Sequence, residues 1–106
     1  MTCKRVRIIR GGAIWYNTNK PSSVWLEMGN KRADHFLALD LAGLAFLSLI
    51  PQPWGAIATT VASRNHRAIK KKKTKRGVWV KISQVQPFME ARKRTKKNMK
   101  KCPRPW

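Results

Sequence analysis

The sequence predicts a mainly α protein: a small helical domain built on a proline-broken helical hairpin, with short β-like segments and flexible basic tails. Three features of the 106-residue chain predict it. From Phe36 to Ile50 the only charge is Asp40, and Leu, Ala and Phe dominate. Such a segment reads as a helix that is apolar all round and therefore buried, in protein or in lipid. Pro51-Gln52-Pro53 then breaks it, because proline lacks the amide donor and pushes the preceding residue out of the α region. Beyond the break, Trp54 opens a second helix, running to about Lys73. Ile57, Ala58, Val61, Ala62, Ala68 and Ile69 fall on one face of it, and Thr59, Thr60, Ser63, His66, Arg67 and Lys70 on the other.

The flanking segments follow different patterns. Residues 1–33 read as an irregular to β-like basic arm, with Arg5-Val6-Arg7-Ile8 alternating like a strand and Gly11-Gly12 ending it. Residues 17–23 have loop composition, and Val24-Trp25-Leu26 is a second short strand candidate. Asp34 is placed to cap the first helix. Residues 34–82 hold the hairpin and a further alternating stretch, Val78-Trp79-Val80-Lys81-Ile82, after a break at Gly77. Residues 83–106 form a basic tail, in which 90–101 becomes helical only when a partner neutralises its charge.

Charge bounds the function more tightly than it bounds the fold. Lys and Arg number 24 against 4 Asp and Glu, a formal net charge of +20. Self-repulsion on this scale implies an anionic partner: nucleic acid, an anionic lipid surface or a polyphosphate. Two runs carry most of it. Arg64, Arg67, Lys70, Lys71, Lys72, Lys73, Lys75 and Arg76 make the first, and Arg92, Lys93, Arg94, Lys96, Lys97, Lys100 and Lys101 the second. Both are candidate binders of lipid headgroups or phosphates.

Between them the apolar segment offers candidate membrane-inserting side chains in Phe36, Leu39, Phe46, Leu47, Ile50, Trp54, Ile57 and Val61. Each arm of about 16 residues would reach about 24 Å at ~1.5 Å per residue, short of a hydrocarbon core of about 30 Å. A hairpin lying in the interface fits better than a span; the plainer alternative is a soluble core. Trp15, Trp25, Trp54, Trp79 and Trp106 suit a membrane interface, unpaired bases or a core equally.

Material for catalysis is thin. His35, His66, Glu27, Asp34, Asp40 and Glu90 are the acid–base candidates. A basic ribonuclease pairing His35 or His66 with a lysine is a third reading, without supporting spacing. No Gly-rich phosphate loop and no metal-ligand spacing is present, so no cofactor, metal or small-molecule substrate is expected. Cys3 and Cys102 are either two free thiols or a bridge closing almost the whole chain. No leader pattern follows the basic start, so the chain is expected to be exported without a leader, or else to be cytoplasmic and ribonucleoprotein-associated.

The order of apolar Gly- and Ala-bearing helices followed by Ile69-Lys70-Lys71-Lys72-Lys73-Thr74-Lys75-Arg76-Gly77-Val78-Trp79 resembles small cationic bacteriocins with a saposin-like helical fold. The resemblance covers residues 34–82 and implies permeabilisation of bacterial membranes by a lysine-rich helical bundle. The sequence thus favours a non-enzymatic, membrane-active antimicrobial protein that binds anionic lipids. The alternative is an RNA-binding structural protein of a ribonucleoprotein.

Overall fold

The computed structural model describes residues 3–17 and 21–103. It is an α+β fold, and this corrects the expectation of a mainly α protein. Five antiparallel strands, β1 (Lys4–Ile9), β2 (Gly12–Tyr16), β3 (Ser23–Met28), β4 (Val78–Ser83) and β5 (Phe88–Lys93), form one sheet in the order of the chain. Between β3 and β4 the chain inserts α1 (Asn30–Ala38), α2 (Leu41–Leu49), α3 (Trp54–Arg64) and α4 (His66–Lys72). The strands come from all three segments that the sequence separates.

The expected helical hairpin is not formed. Its first arm is two helices, because Leu39 takes a left-handed conformation (φ 51°) and Asp40 begins a new helix. Asp40 Oδ1 accepts from the Gly43 amide at 2.8 Å and caps α2. Its Oδ2 lies 2.7 Å from His35 Nδ1. The hydrogen bond from His35, then that from Gly43, hold the Asp40 carboxyl below its ordinary pKa. The helices then cross closely at Gly43, where a Cβ would run into the His35 carbonyl. The proline break lies where expected, between α2 and α3. The second arm also divides, at Asn65. In the tail, 88–93 pairs with β4 as a strand rather than starting a helix.

Alternation gives the sheet two unlike faces. Ile14, Val24, Leu26, Met28, Val78, Val80 and Ile82 face the helices and build the main core with Phe36, Phe46, Ile50, Val61 and Ile69. The opposite face carries two cross-strand rows. One runs Arg5, Trp15, Trp25, Lys81, Glu90; the other runs Arg7, Ala13, Glu27, Trp79, Arg92. Trp15, Trp25 and Trp79 pack there as a separate cluster with Ala13 and Cys102. Trp25 meets Trp79 edge-on, with ring centroids 6.2 Å apart. Among the described residues no helix lies over this face. The tail after β5 crosses it instead, and Cys102 is bonded to Cys3 beside β1.

A disulfide spanning 99 residues closes nearly the whole chain. Its chain-entropy contribution is about 4–5 kcal/mol. Cys3→Ser with Cys102→Ser should therefore lower unfolding free energy by about that amount, read from urea titrations of oxidised wild type and variant. A change below about 1 kcal/mol would mean that the tail holds its place without the bond.

Candidate anion-binding surface

Besides the disulfide, a buried acid holds the tail over the sheet. Glu27, only 2% exposed, points from β3 into the tryptophan face. Its Oε1 accepts from the Trp15 indole N–H at 3.0 Å. Its Oε2 accepts from Arg94 Nε at 2.9 Å and from the Lys100 amide at 2.6 Å. Arg94 in turn donates from Nη1 to the Arg76 carbonyl at 2.6 Å, and its own carbonyl accepts from the Thr74 hydroxyl at 2.8 Å. The turn before β4 carries Gly77 at φ 112°, where a Cβ would strike the Met28 carbonyl. Only glycine lets that turn close against β3.

This network brings together three basic segments that are far apart in sequence. Arg76 ends the first basic run and receives Arg94 of the second at its carbonyl, and Arg94 shares a cleft with the arginines of β1. Ala13 is small, so the row from Arg7 to Glu27 is hollow. The hollow is a cleft of about 380 Å³ lined by Arg5, Arg7, Arg10, Arg94 and Lys100, with Glu27, Gly11, Gly12 and Ala13 among its other walls. Arg5 is fixed over the Trp15 ring, 5.6 Å from its centroid. The side chains of Arg7, Arg10 and Lys100 have no partner among the described residues. A second cleft, lined by Arg10, Gly11, Lys31, Arg32 and His35, adjoins it across the β1–β2 turn.

Arg32 joins this cationic region to α2. Its Nη1 lies 3.4 Å from the Ala42 carbonyl and its Nη2 lies 3.5 Å from the Arg10 carbonyl, both long for hydrogen bonds. Its guanidinium stands 5.4 Å from the Phe46 ring centroid. Helix α2 itself is uncharged yet lies at the surface. Leu41, Leu44 and Leu49 are 87%, 48% and 51% exposed, on the side away from Phe46 and Leu47.

The residues expected to bind anions are divided by the fold. Arg64, Arg67, Lys70, Lys71, Lys72, Lys75 and Arg76 are exposed on α3, α4 and the following turn. Lys73 is half-buried and paired with Asp34, so Asp34 serves there rather than as a helix cap. Lys93, Lys96, Lys97, Lys100 and Lys101 are exposed. Arg92 and Arg94 are structural in part: Arg92 pairs with Glu90 and lies 4.7 Å from the Trp25 ring centroid. Arg94 and Lys100 line the first cleft, together with Arg5, Arg7 and Arg10, which the sequence did not single out as anion binders; nor did it single out Arg32, in the second cleft. The alternation along β1 was a signal, but nothing local shows which face the tail would cross.

The residues expected to insert into membranes sit elsewhere. Phe36, Phe46, Leu47, Ile50, Trp54 and Val61 are buried, and Leu39 and Ile57 are half-buried against the same core. The exposed large apolar side chains are instead Leu41, Leu44 and Leu49 of α2, with Val6, Val85 and Met89 elsewhere on the described surface. No helix among the described residues is long and apolar enough to cross a membrane. Trp15, Trp25, Trp54 and Trp79 are also buried, and Trp106 lies outside the described residues. His35 faces Asp40, and His66 is exposed at the start of α4.

Comparison with protein-family models, with curated proteins and with solved structures returned no match to this chain. The resemblance to saposin-like bacteriocins is neither strengthened nor weakened by these comparisons.

Glu27→Gln tests the central node. It removes the charge that balances a largely buried Arg94 while keeping the shape. The expected cost is about 3–5 kcal/mol in urea unfolding, since an unpaired buried charge remains. A loss below about 1 kcal/mol would show that water already screens the pair.

Proposed function

We propose that the protein is a cationic, membrane-active protein that binds anionic lipid surfaces, with no enzymatic step. The observation that carries this reading is the outward leucine side of α2 set against Arg10, Lys31 and Arg32. An uncharged helix exposing three leucines is unusual in a chain with this much charge to spare. Next to these cations, of which Arg32 lies against the first turn of α2, it forms a surface that meets headgroups and acyl chains together. Each cation near an anionic leaflet contributes about 1 kcal/mol. The basic residues of α4 and the tail extend the attraction over longer range. The disulfide is weakly compatible with an extracellular setting, where such bonds persist.

The reading is tested on vesicles. The oxidised protein should release dye from phosphatidylglycerol vesicles and not from zwitterionic ones. Leu44→Lys, combined with Leu41→Lys, should reduce release about tenfold, a difference of about 1.4 kcal/mol in partitioning. Its circular dichroism should stay unchanged, because both side chains are exposed. Full activity in that variant would sink the role of α2, and no leakage by the wild type at low salt would sink the reading.

A second reading is favoured by the arginine clefts: an RNA-binding protein of the ribonucleoprotein type. With the four described tryptophans buried, recognition would act on the phosphate backbone and not by stacking on bases. Binding of a labelled RNA should then weaken steeply with salt, by a slope of about 0.7–0.9 per phosphate neutralised. Arg7→Ala should lower that slope by about one contact. RNA binding that survives molar salt, or none at low salt, removes this alternative.

A further inference from the structure

We infer that the cleft between β1, β2 and the tail is a binding site for a diphosphate group. Resting on the reading of the protein as a binder of anionic surfaces, the inference names the chemistry that one part of the surface selects.

The cleft differs from a solvated basic face in three respects. Its cations are positioned: Arg5 is pinned by Trp15, and Arg94 by Glu27 and the Arg76 carbonyl. Lys100 is placed by its own amide, which Glu27 accepts at 2.6 Å. Its floor is low: Ala13 stands between Arg7 and Glu27, and the backbone of Gly11 and Gly12 borders a volume of about 380 Å³ among these charges. And its cations are underneutralised: five of them face one carboxylate, which is already engaged by Trp15, Arg94 and the Lys100 amide. Arg7, Arg10 and Lys100 therefore keep their donor groups available.

Charge and spacing select the ligand. The formal excess in the cleft is four positive charges. A single phosphate monoester carries about −1.5 to −2 and leaves much of that excess. A diphosphate brings more charge and more acceptor oxygens on two linked centres. Arg5 and Arg7 lie on the same face of β1, about 7 Å apart at two residues per repeat. That separation suits two adjoining phosphoryl groups better than one, and guanidinium forks match their oxygens bidentately. The diphosphate can belong to a lipid headgroup or to a soluble molecule, and the chemistry in the cleft is the same.

The test uses the full oxidised chain. Calorimetric titration with inorganic diphosphate, orthophosphate and sulfate should show diphosphate tightest by about tenfold or more. Arg7→Ala and Lys100→Ala, both at exposed positions, should each weaken it by about tenfold without loss of fold. Equal affinity for the three anions, or unchanged affinity in both variants, overturns the inference. Phosphatidylglycerol vesicles with and without an isoprenoid diphosphate lipid then separate the sources. Stronger binding to the dosed vesicles, lost in Arg7→Ala, supports the site with a lipid ligand. Diphosphate binding with no response to the dosed lipid supports it with a soluble one. Leakage from plain anionic vesicles without diphosphate selectivity leaves the membrane reading standing and ends this one. Diphosphate binding without any vesicle effect does the reverse.

Discussion

Glu27 is the point on which the arrangement turns. The chain has 24 basic residues and 4 acidic ones, and this acid is almost fully buried on the face where the basic segments meet. Its two oxygens receive a side-chain donor from β2, a side-chain donor from just after β5 and a backbone donor from the tail. Through Arg94 it also reaches the turn before β4. Without that carboxylate, the tryptophan face would hold Arg94 against Arg5 and Arg7 with nothing between them. With it, the same residues become walls of a cleft.

The two fastenings act on different states of the chain. Glu27 works in the folded state, by satisfying donors where water is scarce. The Cys3–Cys102 bond works mainly on the unfolded chain, by removing conformations that repulsion between the basic ends would otherwise favour. At physiological salt the Debye length is about 8 Å, so neighbouring cations on this face still repel one another while distant runs scarcely do. The energetic problem is therefore local, and it is placed where the structure has both a buried acid and a covalent tie. Elsewhere, as on α4, the cations point to solvent and need neither.

The sequence was legible where a local pattern governs. Alternation marked β1 and β4, the short run Val24-Trp25-Leu26 marked β3, and Pro51 and Pro53 marked the boundary between α2 and α3. It failed where a distant partner decides. The helix expected from Phe36 to Ile50 stops at Leu39, because Asp40 can cap a new helix and Gly43 lets that helix lie against α1. Residues 88–93 carry so much charge that their strand character shows only through pairing with β4. Three of the four described tryptophans pack beneath the tail, and no local feature separates that fate from exposure. The basic runs were legible as anion binders in kind, but not Arg5, Arg7, Arg10 and Arg32 in the clefts. Those depend on a contact between Glu27 and a residue 67 positions away.

The leucine side of α2 and the arginine cleft are coupled rather than adjacent by accident. Arg32 stands between them, reaching the Ala42 carbonyl on one side and the Arg10 carbonyl on the other. Phe46, on the buried side of α2, lies under the Arg32 guanidinium and against Phe36 in the core. The same helix thus has its inner side set by the core and its cationic neighbour set by the β1–β2 turn. The proposed ligand, if it draws on Arg10, would sit beside the residue whose carbonyl lies 3.5 Å from Arg32 Nη2, while Arg32 Nη1 lies 3.4 Å from the Ala42 carbonyl in the first turn of α2. Headgroup binding and the apolar contact would then be made by one rigid unit. That unit is assembled from the β1–β2 turn, α1 and α2, and of the dense basic runs only Arg94 and Lys100 of the second reach the cleft beside it.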